Sequence, residues 1–459
     1  MSHLFLQSLS RRQMLKWMGI SSASLFLSAC APAPATPQPA AEEMGGAGPQ
    51  PTGQAYEEGK LKVFVCCYTP PEVELRNKFN ASFMETHPGV QVVQELLPAG
   101  QNYFEKLQTL IAAGTPPDLF DMWEGYVQPY AANGALLNLD PFFGKDDKVK
   151  KDDLLPAAQL GGSWQDSIYA FSIGFMPGPI SVYYNVDHLQ KAGLPDPSPD
   201  WKWDDLREAA QALTVDSNGD GVPEQWGLVF DLWFVPWLHW IWSNGGDVFN
   251  KDETRCTLTE AAAVEAIQYW ADLVNIDQVA IPTAELQAMQ GSLNSFQTGV
   301  VSMYLGNTWD VGQLKEARTQ GLNWQAVLSP AANNGGRIWY EHFWCWSMSS
   351  QTKKPNIGWL YLRDFILNRT IDAATPTIPP LRQLLDTFNT ETNRELGYEP
   401  LIIIATEPDR FRIPGAGAKW DKISGLIQAE LDLVFTGEKT AAEAAAAACP
   451  RVDEELART

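Results

Sequence analysis

Short apolar stretches alternate with helical ones between Lys60 and Trp123, and this alternation limits the possible folds more than any other feature of the chain. The patterns predict strands over 60–67, in GVQVVQEL and in PDLFDMW. They predict helices over 71–87 and in NYFEKLQTLIAAG, where Gly114 closes the helix. Strands that alternate with helices indicate an α/β fold with a mainly parallel sheet.

In open sheets of this class, ligands bind outside the carboxyl ends of the strands. The rule selects Tyr68, directly after the first predicted strand. It also selects Trp123, Glu124 and Tyr126 at the end of the third strand. We therefore take these four residues as candidate ligand contacts.

The first 29 residues have the pattern of an export signal. Arg11 and Arg12 precede an apolar run, about Trp17 to Ala29, that is too short to span a membrane and suits a signal peptide. The arginine pair resembles a twin-arginine signal. Leu27 to Cys30 resembles a bacterial lipobox, in which the cysteine is acylated and becomes the first mature residue. The alternative is a plain secretory signal with a chance cysteine. The pattern predicts a protein exported and lipid-anchored to the outer face of a bacterial membrane, at the cell surface or in the periplasm.

Residues 30–59 are rich in Pro, Ala and Gly, with little apolar bulk to bury, so they are predicted to form a disordered tether. Beyond residue 29 the chain carries 30 basic and 55 acidic side chains, because three of the 33 basic residues and none of the acidic ones precede it. A net charge of −25 argues against nucleic acid as a partner and suits a soluble extracytoplasmic protein. After Cys30, the spacing of the other five cysteines fits no zinc motif, and an odd number leaves at least one unpaired; buried apolar thiols are the default interpretation.

Five stretches in order along the chain resemble family 1 extracellular solute-binding proteins, the sugar-capturing subunits of ABC importers, which include the maltose-binding proteins. They are LIAAGTPPDLFDMWEGYVQPYAANGALLNLDPFF, the segment from DSIYAFSIGF to VPEQWGL, NGGDVFN, FQTGVVSMYLGNTWDV and KWDKISGLIQAELDLVFTGEKTAAEAAAAA. The resemblance covers nearly all of the chain beyond the tether. It implies a substrate-binding component that captures a mono- or oligosaccharide and delivers it to a membrane permease, acts as a monomer, requires no cofactor and is not an enzyme.

The resemblance also implies a two-lobed periplasmic-binding-protein fold of type II, in which each lobe is a mainly parallel sheet flanked by helices. A hinged cleft lies between the lobes. It places the N-terminal lobe in 60–173 and 330–377, and the C-terminal lobe in 174–329 and 378–459. The chain is then expected to cross between lobes near 172–175, 328–331 and 375–380.

Aromatic residues are the natural partners of sugars, because their rings pack on apolar C–H faces while carboxylates and amides bind the hydroxyl rim. In DLWFVPWLHWIW, Trp233, Trp237 and Trp240 recur at helical spacing and share one face. The ordinary interpretation is a core stripe from which Trp233 or Trp237 reaches the cleft. The resemblance implies that Trp309 and Trp420 stack on sugar; a core position is the alternative for each.

Further candidates are carboxylates and their neighbours. Strand alternation in IWYEHFWCWSM predicts Tyr340, His342, Trp344 and Trp346 on one face, and Trp339, Glu341 and Phe343 on the other. Glu341 is a carboxylate among aromatic residues that a sugar hydroxyl, a cation or an arginine could satisfy. Tyr340, Glu341 and Asp310 are therefore candidate ligand contacts together with Glu124, for which a solvated loop acid is the alternative.

The segment DSNGDGVPE begins like a calcium-binding loop, with oxygen ligands at alternate positions. Its ligands would be Asp216, Asn218, Asp220, the carbonyl of Val222, and Glu224. Position twelve is Gly227, so the closing glutamate of such loops is missing, and a plain helix-to-strand turn is the alternative.

Two other classes of function compete with sugar capture. A glycosidase needs two carboxylates that flank one bond, and Glu124, Asp310 and Glu341 could supply a pair. The histidines after the signal segment (His87, His188, His239, His342) lie in no recognisable nucleophile or metal-hydrolase motif. A binding protein for a polyamine, a metal complex or a peptide is the second rival, and acidity would suit polyamines.

Overall fold

The computed structural model describes residues 56–98, 102–123, 125–175, 178–369, 377–404 and 410–458. The predicted signal peptide with Arg11 and Arg12, the predicted lipidation site Cys30, most of the predicted tether, and Glu124 lie outside these residues. Within the described ranges, no helix has the length and apolar character that crossing a membrane requires.

The first sheet forms the N-terminal lobe and has the strand order β2-β1-β3-β12-β6. Its strands are β1 (Gly59–Cys66), β2 (Val90–Leu97), β3 (Leu119–Trp123), β6 (Ala170–Phe175) and β12 (Phe343–Met348). Strands β2, β1 and β3 pair in parallel, and β12 runs antiparallel to both of its neighbours. The first three strands match those predicted from the sequence, and their carboxyl ends lie at one edge.

The second sheet forms the C-terminal lobe and has the order β10-β7-β9-β8. Its strands are β7 (Ser181–Asn185), β8 (Trp226–Phe230), β9 (Val301–Gly306) and β10 (Trp324–Leu328). Strands β8 and β9 are parallel, whereas β7 is antiparallel to β9 and β10. Two short pairs complete the strands: β4 (Ser163–Trp164) with β5 (Ser167–Ile168), and β11 (Trp339–Tyr340) with β13 (Phe411–Arg412).

Helices surround both sheets. In the described part of the chain they are α1 (Pro70–Thr86), α2 (Tyr103–Ala112), α3 (Val127–Ala132), α4 (Asp140–Lys145), α5 (Pro156–Gly162), α6 (Val186–Ala192), α7 (Trp203–Leu213), α8 (Phe234–Ser243), α9 (Ala261–Asn275), α10 (Thr283–Ala288), α11 (Ser292–Gln297), α12 (Val311–Thr319), α13 (Pro355–Leu367), α14 (Leu385–Phe388), α15 (Glu391–Asn393), α16 (Glu399–Ile404), α17 (Trp420–Phe435) and α18 (Ala441–Ala457). A 3₁₀ turn over Thr308–Asp310 precedes α12.

Stacked aromatic rings fill both lobes. In the C-terminal lobe, the rings of Trp240 and Trp270 lie parallel with centroids 4.5 Å apart, so helices α8 and α9 pack through them. In the N-terminal lobe, Trp346 stacks on Tyr361 at 5.4 Å, and the Arg76 guanidinium lies 4.5 Å from the Trp346 ring. The predicted core stripe around Trp240 is therefore part of the C-terminal core.

Hydrogen bonds near the expected crossings connect the chain to one lobe or the other. Residues 331–338 still contact the C-terminal lobe: Ala331 N donates to Trp201 O at 3.0 Å and Ile338 N to Ser243 Oγ at 3.0 Å. The expected crossing near 328–331 stays a prediction. Leu155 N donates to Pro380 O at 2.9 Å, so Pro380 contacts the N-terminal lobe. The lobe boundaries stay as the resemblance implies them.

One predicted strand is two strands in the structure. Alternation through IWYEHFWCWSM assumed continuous extended pairing, but β11 ends at Tyr340 and β12 begins at Phe343. The reason is a change of partner: β11 pairs with β13, while β12 pairs with β3 and β6. The prediction of two uniform faces from Trp339 to Trp346 is therefore wrong.

Two disulfides correct the expectation of buried thiols. Cys256 bonds to Cys449 across 193 positions of sequence, within the C-terminal lobe. Cys66 bonds to its neighbour Cys67. Cys345 is buried in β12 and belongs to neither bond.

The first described residues are fixed to the N-terminal lobe. The Glu57 carboxylate accepts hydrogen bonds from the side-chain amide of Asn356 at 2.9 Å and from Ile357 N at 3.0 Å. These donors form the first turn of α13, where the helix dipole favours a negative charge. The Tyr56 hydroxyl donates to Pro88 O at 3.3 Å.

Candidate functional site

A cavity of about 280 Å³ lies between the two lobes. The N-terminal lobe contributes residues around the carboxyl ends of β1 and β3, and the C-terminal lobe contributes residues near β8 and β9. Its lining comprises Cys67, Thr69, Glu72, Trp123, Trp233, Trp309, Gln313, His342 and Trp344. We call this cavity the interlobe cleft.

The N-terminal wall of the cleft is built from neighbouring strands. Trp123 ends β3 and pairs in register with Trp344 of β12, so the two indoles belong to one patch of sheet. The Trp123 ring packs edge-on against Phe104 of α2, at 4.9 Å between centroids, and remains partly exposed. A partly exposed ring held by a partly buried aromatic neighbour is a suitable apolar platform.

Buried polar groups support this wall from beneath. The Asp121 carboxylate accepts from Cys66 N at 2.9 Å, and Arg76 Nη1 donates to the Tyr68 hydroxyl at 2.8 Å. The Tyr68 ring lies 4.3 Å from that of Trp344. Burial raises the pKa of Asp121 to about 7, and the nearby Arg76 charge offsets only part of that effect. Tyr68 thus packs against Trp344 from behind the wall and does not itself line the cleft.

The C-terminal wall holds Trp233 and Trp309, whose ring centroids are 6.2 Å apart. Trp233 precedes α8 in an extended conformation, so it leaves the helical face that Trp237 and Trp240 share. Trp309 lies in the 3₁₀ turn that follows β9. Both indoles are partly exposed.

Asp310 fixes the turn that presents Trp309. Its carboxylate accepts from Asn307 N at 2.8 Å and from the Tyr304 hydroxyl at 2.9 Å. Burial raises the pKa of Asp310 to about 7, because the charged form is desolvated. The structure therefore places Asp310 beneath the cleft wall.

A second cavity, of about 570 Å³, adjoins the cleft on the N-terminal lobe. It shares Cys67 and Trp123 with the cleft and includes Tyr126, whose ring stacks on Phe104 at 3.5 Å. A third cavity, of about 450 Å³, is lined by residues of both lobes, among them Gly125 and the Asp247–Arg412 ion pair. Together these cavities provide more room than a monosaccharide needs.

The structure thus brings three predicted residues together in the cleft: Trp123, Trp233 and Trp309. Others are buried in the C-terminal lobe or at the hinge. Trp237 is fully buried, with its Nε1 donating to Gln428 Oε1 at 3.1 Å, and Trp420 is 6% exposed and packs on Phe234. Tyr340 and Glu341 are buried where β11 meets β13. The predicted ligand contacts of these residues stay predictions.

Sequence reasoning missed five of the residues that line the cleft besides Cys67: Thr69, Glu72, Gln313, His342 and Trp344. The rule that ligands bind beyond the carboxyl ends of strands selected Tyr68, the residue next to Cys67, because β1 ends at Cys66. Thr69 and Glu72 form a capping box at the start of α1, in which Thr69 N and Oγ1 donate to Glu72 Oε2 at 2.6 and 2.8 Å. That spacing is a signal readable from the sequence.

The loop over 216–224 is organised by its own backbone. The Asp216 carboxylate accepts from Gly219 N and Gly221 N, at 2.6 and 2.9 Å, and Glu224 accepts from Ser217 N at 2.7 Å. Across the described ranges, no group of three or more His, Cys, Asp or Glu residues is arranged to hold a metal ion. The calcium site stays a prediction.

The family of the chain follows from comparison with known proteins. The sequence profile of the family described as bacterial extracellular solute-binding protein matches residues 69–363, and the chain belongs to that family. This confirms the family predicted from the sequence. Because the family is extracellular, its members are exported proteins that bind solutes.

Individual relatives agree with this assignment. The maltotriose-binding protein of Pyrococcus abyssi is 21% identical over 78% of this chain and 74% of its own length. The ABC substrate-binding protein Lmo0181 of Listeria monocytogenes, solved in complex with cycloalternan, superposes with a TM-score of 0.74 at 22% identity, over 88% of this chain and all of that one. The GacH receptor of Streptomyces glaucescens, solved unliganded and with acarbose, gives a TM-score of 0.71 at 20% identity, over 87% of this chain and 99% of its own. These structures confirm the predicted two-lobed α/β fold.

Proposed function

We propose that the protein is the extracytoplasmic substrate-binding component of an ABC importer, that it captures a mono- or oligosaccharide between its lobes, and that it delivers this sugar to a membrane permease. The observation that carries the proposal is the composition of the interlobe cleft. Indole rings from both lobes face one cavity, with Trp123 and Trp344 on one wall and Trp233 and Trp309 on the other. Two opposed aromatic walls suit a pyranose, which has two C–H faces.

Polar groups in the same lining suit the hydroxyl rim. Thr69, Gln313 and His342 offer a hydroxyl, an amide and an imidazole. Glu72 is the acid of that lining, and its Oε2 already accepts two hydrogen bonds from Thr69. A cleft built for a polyamine would need more exposed carboxylate than this, so a neutral ligand is favoured over a cationic one.

The relatives support the same ligand class, since maltotriose, cycloalternan and acarbose are named with them. The adjoining cavity that shares Cys67 and Trp123 gives room for further sugar units. We further propose that the protein works as a monomer, is anchored through a lipid on Cys30 and releases its sugar without turnover. The membership of an extracellular family supports export.

Thermal-shift and calorimetric titration of the purified protein against maltose, maltotriose, cellobiose, sucrose and raffinose test the proposal. A sugar present at ~100 times its dissociation constant adds about 2.7 kcal/mol to the free energy of unfolding, so the melting temperature should rise visibly. Spermidine and a tripeptide serve as controls for the rival ligand classes, and chromatography after incubation checks that no sugar is cleaved. A shift with spermidine or peptide and none with any sugar would contradict the proposal.

A further inference from the structure

The adjacent residues Cys66 and Cys67 form a disulfide at the carboxyl end of β1. Cys66 is buried, whereas Cys67 is exposed. Cys67 lines the interlobe cleft and also the adjoining cavity on the N-terminal lobe. The ring closed by this bond therefore lies where the two cavities meet, beside Trp123.

The backbone on both sides of the bond is fixed. Cys66 N donates to the buried carboxylate of Asp121 at 2.9 Å, and Cys67 N donates to Leu97 O at 3.0 Å. Cys67 has a φ of +71°, in the left-handed region that residues other than glycine rarely adopt. Such conformations persist where the surroundings enforce them, and they concentrate at ligand-binding sites.

The Cys66–Cys67 bond is poorly suited to stabilising the folded lobe against unfolding. A disulfide restricts the unfolded chain more as the loop it closes becomes longer, and this one closes a loop between neighbours. The bond between Cys256 and Cys449 is the opposite case, because 193 positions separate its ends and both sulfurs are buried. The effect of the Cys66–Cys67 bond must therefore be local, on the shape and chemistry of the surface it presents.

That surface is apolar and polarisable. A disulfide has no hydrogen-bond donor and its sulfurs are weak acceptors, so it cannot satisfy a sugar hydroxyl. It can pack closely against C–H groups through dispersion. Its neighbours in the cleft lining, Trp123 and Trp344, have the same preference.

We infer that the Cys66–Cys67 disulfide is a ligand-binding element of the cleft, whose ring packs on a hydroxyl-poor C–H face of a pyranose between the interlobe cleft and the adjoining cavity. The inference rests on the proposed sugar-binding function and adds a contact that selects the ligand by shape. Sugars that present a hydroxyl toward Cys67 should be disfavoured, because that hydroxyl would lose its water without gaining a partner.

Two variants remove the ring. Cys66→Ser with Cys67→Ser replaces both sulfurs by smaller polar groups. Cys66→Ser with Cys67→Gly also removes the ring, and glycine adopts the positive φ at this position readily. The matched control, Cys256→Ser with Cys449→Ser, removes the same number of cysteines from the C-terminal lobe.

Affinity is measured by calorimetry with maltotriose and with whichever of the five sugars titrated above binds the wild type most tightly; these five sugars are the panel. Both ring variants should bind that sugar roughly tenfold more weakly, as expected for the loss of one or two buried apolar contacts. Their melting temperatures without sugar should stay within a few degrees of the wild type. The control should show the reverse: a clearly lower melting temperature and an affinity close to that of the wild type.

Reduction of the wild-type protein gives an independent measurement that needs no substitution. A phosphine reductant under native conditions should open the bond at exposed Cys67 before the buried one, because access limits exchange. Alkylation and peptide mapping identify which cysteines have reacted. The reduced protein should lose affinity as the ring variants do, and recover it on reoxidation.

The outcomes separate the inference from the function on which it rests. A wild type that binds a panel sugar, together with ring variants and a reduced protein of equal affinity, would overturn the inference alone. A wild type that binds no sugar of the panel would overturn both.

Discussion

Burial distinguishes two tryptophans that the family resemblance treated alike. Trp309 is partly exposed in the cleft, whereas Trp420 packs with Phe234, Trp237 and Phe249 in the C-terminal lobe. An indole that lines a cavity can be removed without leaving a void in the core. An indole that fills the core cannot, because the neighbouring side chains collapse only in part.

The first prediction uses this difference. Trp309→Ala should weaken sugar binding roughly thirtyfold or more, as expected for the loss of a large aromatic anchor. It should change the free energy of unfolding little. Trp420→Ala should instead lower the free energy of unfolding by about 3–5 kcal/mol. Titration calorimetry and denaturant melts of both variants measure the two effects, and unchanged affinity of Trp309→Ala would remove this ring from the proposed site.

A second prediction concerns pH. Burial raises the pKa of Asp310 and of Asp121 to about 7, above the value of ~3.9 for an exposed aspartate. The folded protein therefore binds protons more tightly than the unfolded chain between these values. The contribution of these two carboxyl groups to the free energy of unfolding should fall as pH rises from ~4 through 7, and then level off.

Denaturant melts at pH 5 and pH 8 measure the fall. Asp310→Asn keeps an acceptor for Asn307 N and Tyr304 while removing the titration, so it should reduce the difference between the two pH values. Asp200→Asn, at an exposed position, serves as the matched control and should not. A fall of equal size in Asp310→Asn and in the wild type would contradict the assignment to Asp310.

At the scale of elements, the sequence was sufficient where hydrophobic periodicity alone determines a strand or helix. Strands β1, β2 and β3 and helices α1 and α2 match the predictions closely, because apolar periodicity reports which side of each element is buried. Prediction from the sequence failed where pairing with a distant segment determines the ends of a strand. The division between β11 and β12 depends on β13, some seventy residues further along the chain. Two further features have local causes that periodicity does not encode: the extended backbone at Trp233, which takes it off the α8 stripe, and the bond between the neighbours Cys66 and Cys67.

The loop between α7 and β8 carries a third prediction. If Asp216, Asn218, Asp220, Val222 and Glu224 bind calcium as the sequence predicts, a chelator should lower the melting temperature of calcium-loaded protein. Asp220→Ala should abolish that sensitivity. Asp216 and Glu224 already accept backbone hydrogen bonds within the loop, so the loop can keep its conformation without a metal ion. Equal melting curves with and without chelator would therefore contradict the calcium prediction.

At the scale of the whole molecule, the fourth prediction concerns attachment. Cys30→Ala should yield soluble protein in membrane fractionation, because the predicted acyl chains that hold it to the membrane are absent. Arg11→Lys with Arg12→Lys should block export, and Lys16→Arg, which keeps the charge near the signal, serves as the control. Recovery of the Cys30 variant in the membrane fraction would contradict the anchoring proposal.

The bonds of Glu57 to the first turn of α13 have a mechanical consequence. They fasten the start of the globular chain to the N-terminal lobe, so an anchor upstream of Tyr56 is joined to that lobe alone. If the chain is anchored through Cys30 as proposed, the N-terminal lobe is the lobe tied to the membrane, and opening or closing of the cleft moves the C-terminal lobe relative to that point of attachment.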